Sequence, residues 1–157
     1  MAVPARQRVS HQARGRELAR QGTLLWQELG SVRLAAAELM NRHRDLPSLQ
    51  AYRYAVGLSQ DQAAMRFNEV AELQTSLGGT TINAWETWAR GRGAGSPPPF
   101  SSLLILAIAY GRGPLGMAEE EISPGDLVHA PRRLYPLLRA GPATARRTRP
   151  LDRKSVV

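Results

Sequence analysis

Between residues 80 and 87 the chain carries Thr80, Thr81, Asn83 and Thr87, interleaved with Ile82, Ala84 and Trp85. On a helix that turns Ile82 and Trp85 inward, Thr80, Thr81, Asn83 and Ala84 face outward. The chemistry open to such a face is hydrogen bonding and methyl contact, not bond making. An asparagine amide can pair bidentately with adenine, and threonine offers a hydroxyl beside a methyl that packs against thymine. Thr87 lies one turn beyond Asn83 and would follow the same groove. Arg90 and Arg92, just past this segment, suit phosphate.

Residue sets for other chemistries are missing from the sequence. It holds no cysteine, which excludes disulfides and thiolate metal sites. His11, His43 and His129 lie far apart and have no ligand spacing. There is no nucleophile elbow and no Walker-type loop. The segment 91–99 is rich in glycine and proline, but no strand precedes it and no lysine follows, so it reads as a loop and not as a phosphate cradle. Glu119, Glu120 and Glu121 have no partner histidine and read as a solvated face. We expect no enzyme activity, no metal and no cofactor.

The elements that would hold this face read as helices. Residues 1–20 lack apolar periodicity and are expected to form a flexible basic arm. From Thr23, the residues Leu25, Leu29, Val32, Ala36, Leu39 and Met40 recur at helical spacing. Gly30-Ser31 interrupts them, leaving either one strained helix or two, the second capped by Ser31. Residues 21–45 are thus a supporting or dimerisation segment. Leu46-Pro47 ends it, with Pro47 in the first turn of the next helix, Leu49, Tyr52 and Val56 on its inner face and Gly57 as its stop. Ser59 and Gln62 form a capping box for a helix that buries Ala63, Phe67, Val70 and Leu73 and ends at Gly78-Gly79. Thr80 or Thr81 then caps the helix of Ile82 and Trp85, with Trp88 or Ala89 continuing its inner side. An apolar helix from Ser101 or Ser102 to Tyr110 closes the domain, and a short helix may be expected before Val128, with Ser123-Pro124 as a turn. The domain spans 46–128, and 129–157 read as a disordered basic tail.

Three stretches carry a family likeness: Leu58-Ser59-Gln60-Asp61-Gln62-Ala63-Ala64, Thr80-Thr81-Ile82-Asn83-Ala84-Trp85-Glu86, and Leu103-Leu104-Ile105-Leu106-Ala107-Ile108-Ala109-Tyr110-Gly111. In that order they resemble the helix-turn-helix domain of the Xre/Cro-repressor family, in its actinobacterial form. The resemblance implies an all-α domain of five or six helices of the lambda-repressor type, here with an extra N-terminal helix. It implies a transcriptional regulator of double-stranded DNA, with the second helix of the pair in the major groove and the first across the backbone. Gln60 matches a family glutamine that holds a phosphate, at a helix N-terminus that itself favours an anion. Glu86 matches the motif glutamate, for which a structural hydrogen bond or salt bridge is expected. The connection from Asn68 to Gly78 is longer than the family's turn. Ile105 and Ile108 stand where the family is usually polar, which implies that both faces of the closing helix are buried, by the segment from Trp26 to Met40 or by a second subunit. A homodimer follows as an expectation, with Leu25, Leu29, Val32, Ile105 and Ile108 as its candidate interface.

Charge sets a limit on this reading. Of the net +8, residues 1–20 hold five arginines against Glu17, and 131–157 hold eight basic residues against Asp152, leaving 21–130 at −3. The basic character belongs to the ends, which would add sequence-independent phosphate attraction. A competing reading is therefore a protein-interaction module, antitoxin-like or sigma-factor-associated, whose tails bind nucleic acid without preference. Only Lys154 among the basic residues is lysine, which with the abundance of alanine points to a GC-rich bacterial genome. No apolar signal core follows the basic N-terminus, and the run Leu103–Tyr110 is far short of the roughly 20 residues that span a bilayer. A cytoplasmic, nucleoid-associated protein without a membrane partner is expected.

Overall fold

The computed structural model describes residues 5–128 apart from 73 and 75, with side chains from residue 11 onward. The expected tail over 129–157 and the inward Leu73 lie outside the described residues. Among the described residues the chain is all-α: α1 (Ala5–Leu29), α2 (Val32–Arg42), α3 (Ser48–Ala55), α4 (Gln60–Val70), α5 (Gly79–Ala89), α6 (Phe100–Gly111) and the single turn α7 (Pro124–Leu127). None of these helices is long and apolar enough to cross a membrane.

Helix α3 is the axis of the fold. Every residue from Ser48 to Ala55 is buried, and α1, α2, α5 and α7 all pack on it. Burying a side chain such as Leu49 contributes about 1.5–3 kcal/mol. Pro47 occupies the N-cap, one position before the expected first turn, and the chain leaves the helix through Gly57 at φ 70°.

The basic arm expected over residues 1–20 is instead helical from Ala5, as part of a 25-residue α1. The stripe that docks it is sparse and starts with small residues, which hid it from periodicity. Leu18 and Leu25 are buried, and Gly22 lies against α3 so closely that a Cβ there would overlap the Tyr54 carbonyl. Arg14 adds a two-point pair to Asp45 at 3.0 Å, joining α1 to the α2–α3 connection.

At Gly30-Ser31 the chain divides into two helices. Ser31 caps α2 by accepting from the Leu34 amide at 3.1 Å. A second cap comes from far along the chain. The Glu120 carboxylate accepts from the Ser31 hydroxyl at 2.7 Å and from the amides of Val32 and Arg33 at 2.6 and 3.0 Å. A carboxylate at a helix N-terminus complements the dipole and the unpaired amides there. Glu120 is thus not part of a solvated face.

Helix α4 opens with the expected capping box: the Ser59 amide donates to Gln62 Oε1 at 2.9 Å, and the Gln62 amide to Ser59 Oγ at 3.1 Å. It ends at Val70, well before Gly78-Gly79, and Glu72 turns the chain at φ 57°. Asn68 holds the long connection in place. Its side chain donates to the Leu77 carbonyl at 2.9 Å and accepts from the Leu77 amide at 3.2 Å.

Helix α6 is not buried on both faces. Leu103, Leu106 and Tyr110 enter the core, and Ile105 packs partly against it. Phe100, Leu104 and Ile108 remain 49%, 43% and 54% exposed. The segment Trp26–Met40 does not cover this side, because α6 packs chiefly on α4 and α7. Arg66 of α4 reaches the end of α6, donating to the Gly113 carbonyl at 2.6 Å, a cation where the helix dipole favours one.

Candidate nucleic-acid interface

Helices α4 and α5 pack through their aromatic residues. Phe67 and Trp85 meet with ring centroids 5.9 Å apart and planes tilted by 54°, an arrangement that aromatic quadrupoles favour. Ile82, Trp85 and Ala89 are buried, so the inner face of α5 is as the spacing implies. Gly79 abuts Asp61 at the head of α4, which brings the first turns of the two helices together.

Neither threonine caps α5. Gly78 is the N-cap, and no side chain closes this end. Thr80 and Thr81 therefore lie inside the first turn, with Thr80 exposed and Thr81 half-buried. Two glycines before the threonines move the start of the helix upstream of the hydroxyl side chains.

Below this face lies a buried ion pair. Arg53 of α3 donates to both carboxylate oxygens of Glu86 on α5, from Nε at 2.5 Å and from Nη2 at 2.9 Å. Glu86 is fully buried and Arg53 is 5% exposed. Arg53 also donates to the Leu58 carbonyl at 2.9 Å and lies 4.6 Å above the Tyr54 ring. Burial opposes its charge, but the bonds and proximity to Glu86 outweigh burial, and its pKa is raised. The expected structural role of Glu86 is thus seen, with a partner in α3 that no motif spacing announced. Tyr110, buried nearby without a hydrogen-bond partner for its hydroxyl, is held neutral by burial.

Gln60 connects this pair to the surface. Its side-chain nitrogen donates to Glu86 Oε1 and to Asn83 Oδ1, each at 3.1 Å. Asn83 is exposed, and Gln60 is half-buried beneath it. The Gln60 amide group is therefore committed inward, not presented to a phosphate. Asp61 further places a carboxylate at the helix start where an anion was expected.

The other candidates divide by their neighbours. The loop after α5 folds back, so that Ser96 donates to the Ala84 carbonyl at 3.2 Å. Gly95, at φ 79°, sits where a Cβ would overlap Ala84 and crowd Thr87. Ala84 and Thr87 are half-buried in consequence, and the Thr87 hydroxyl donates to the Asn83 carbonyl at 2.8 Å. Arg90 is exposed and reaches Gln50 Oε1 at 3.4 Å, while Arg92 is exposed on the loop. The open part of the face thus comprises Thr80 and Asn83, with Arg90 and Arg92 at the far end.

The residues considered for self-association also separate. Leu25 and Val32 are core residues at 4% and 0% exposure and cannot meet a second subunit. Leu29 and Ile108 are exposed, and Ile105 is partly covered. Among the described residues no group of histidine and carboxylate side chains could hold a metal ion. Comparison of the chain with protein-family models, curated proteins and solved structures found no match.

Proposed function

We propose that this chain is a sequence-specific transcriptional regulator of the Xre helix-turn-helix type, acting on double-stranded DNA in a bacterial cytoplasm. The N-terminal half of α5 enters the major groove, and α4 lies across the backbone. The observation that carries this reading is the open face of α5 at Thr80 and Asn83, held from below by Gln60 and by the buried Arg53–Glu86 pair. A groove-reading helix needs exposed hydrogen-bonding side chains on a rigid support, and this support has no other evident use. Arg90 and Arg92 contact phosphate, and the basic ends of the chain add attraction that does not depend on sequence.

So few base contacts discriminate poorly in one copy. Two copies pair through the exposed stripe of Phe100, Leu104 and Ile108, spaced four residues apart on α6 and continued by exposed Leu115 and Met117. Paired helices then address half-sites about 34 Å apart. A monomeric mass at micromolar concentration would refute the pairing.

The test of DNA reading is selection from a pool of random duplexes at about 0.15 M salt, with the Thr80→Ala/Asn83→Ala protein in parallel. The expected result is a two-fold-symmetric site bound about 10³-fold or more above random DNA and lost in the variant. Equal recovery of all sequences by both proteins would favour the interaction module with tail-driven binding.

A further inference from the structure

The hydrogen bonds below α5 fix which way the Asn83 amide points. Glu86 can only accept, and both of its oxygens are engaged by Arg53. Gln60 must therefore turn its amino group, not its carbonyl, toward Glu86. That same nitrogen lies 3.1 Å from Asn83, so Asn83 must answer with its oxygen. The chain of constraint runs from a buried arginine to an exposed amide in three steps. Its end point is an asparagine whose Oδ1 faces the protein and whose two Nδ2 protons face outward.

We infer that Asn83 acts as a donor-only reader that prefers guanine, with Gln60 as the positioning residue that sets this preference. The inference rests on the DNA reading proposed above. A freely rotating asparagine can pair bidentately with adenine, because it offers an acceptor to N6 and a donor to N7. With Oδ1 turned toward Gln60, the acceptor half of that pairing is withdrawn. Guanine presents two acceptors, N7 and O6, on its major-groove edge and suits an outward amino group; cytosine, with its N4 donor, is disfavoured. The adenine pairing expected from residue type alone is thereby replaced. Thr87 reinforces the arrangement by bonding the Asn83 carbonyl, which keeps the α5 backbone helical at this point.

The test uses the full-length protein and the site it selects. Asn83→Ala identifies the base pair that Asn83 reads, as the one position whose preference flattens. The expected base there is guanine, and its replacement by 7-deazaguanine lowers affinity about 3- to 10-fold, the size of one lost hydrogen bond. Gln60→Ala, and Gln60→Met as a variant that keeps the side-chain length, flatten preference at that same position and leave the others intact. A purely structural role for Gln60 would weaken all positions alike. Adenine at this position, with equal loss on removing its N6 amino group or its N7, would overturn the inference while leaving the regulator reading in place. An unchanged preference in both Gln60 variants would do the same. Failure of the wild-type protein to select any site would overturn the regulator reading and the role of Asn83 with it.

Discussion

The Arg53–Glu86 pair makes a quantitative demand on stability. In Glu86→Ala, Arg53 keeps only the Leu58 carbonyl and the Tyr54 ring as partners, at a site where it is 5% exposed. Removing one member of a buried pair leaves an uncompensated charge, at a cost of about 3–5 kcal/mol. That is a large share of the roughly 5–15 kcal/mol that holds a domain together. The thermal midpoint should fall by about 10–20 °C for a body of this size. Urea unfolding followed by far-UV circular dichroism measures the change directly, and an unaltered slope would show that the unfolded ensemble is the same. The double change Arg53→Met/Glu86→Leu should recover much of the loss, because apolar replacement removes the stranded charge. A cost below about 1 kcal/mol for Glu86→Ala would place the pair among solvent-screened surface contacts and refute the buried support beneath α5.

Three further predictions concern other parts of the fold. Tyr110→Phe should be neutral or stabilising by up to about 1 kcal/mol, since the hydroxyl is buried without a partner; a loss above that would show that a bound water satisfies it. Glu120→Ala removes three bonds from the start of α2 and should cost about 1–3 kcal/mol in urea unfolding, whereas no loss would show that Ser31 alone suffices as cap. Acid should loosen α1: bonds from Arg20 and Gln21 hold Glu17 at about 2, below its ordinary 4.5, and Arg14 lowers Asp45. Groups with depressed pKa stabilise the fold above their ordinary values, so this contribution fades as pH falls from 4.5 toward 2. Amide exchange in α1 should rise in that window, by less in Glu17→Gln/Asp45→Asn, and equal curves would contradict it.

Local signals in the sequence located much of this fold, and contacts between distant residues supplied the rest. The Ser59/Gln62 box, Ser31 as a cap, Gly57 as a stop and the inward Ile82 and Trp85 depend on neighbours within one or two helical turns. Such signals survive in any tertiary setting. The helix over residues 5–20 was missed because Gly22 and Ala19 dock it by close approach, which leaves few large apolar residues to count. Glu120 reads as surface until α2 is brought to it across 89 residues of chain. The candidate site was legible as a face but not as a network. Asn83 and Gln60 stood out by type, yet the orientation of both is set by Arg53, which no spacing links to them. The coverage of Ala84 and Thr87 comes from a loop whose glycines and prolines predicted only irregularity.

Amide hydrogen exchange on the full-length protein, with and without its selected duplex, addresses the central claim most directly. The first amides of a helix have no intrahelical partner, so those at the heads of α4 and α5 exchange readily in the free protein and report any cover placed over them. The expected result is DNA-dependent protection at residues 60–62 and 79–81 and through the Arg90–Arg92 segment, persisting at about 0.15 M salt. Protection confined to residues 1–20 and 129–157, vanishing as salt rises, would contradict the claim and assign DNA contact to the basic ends alone.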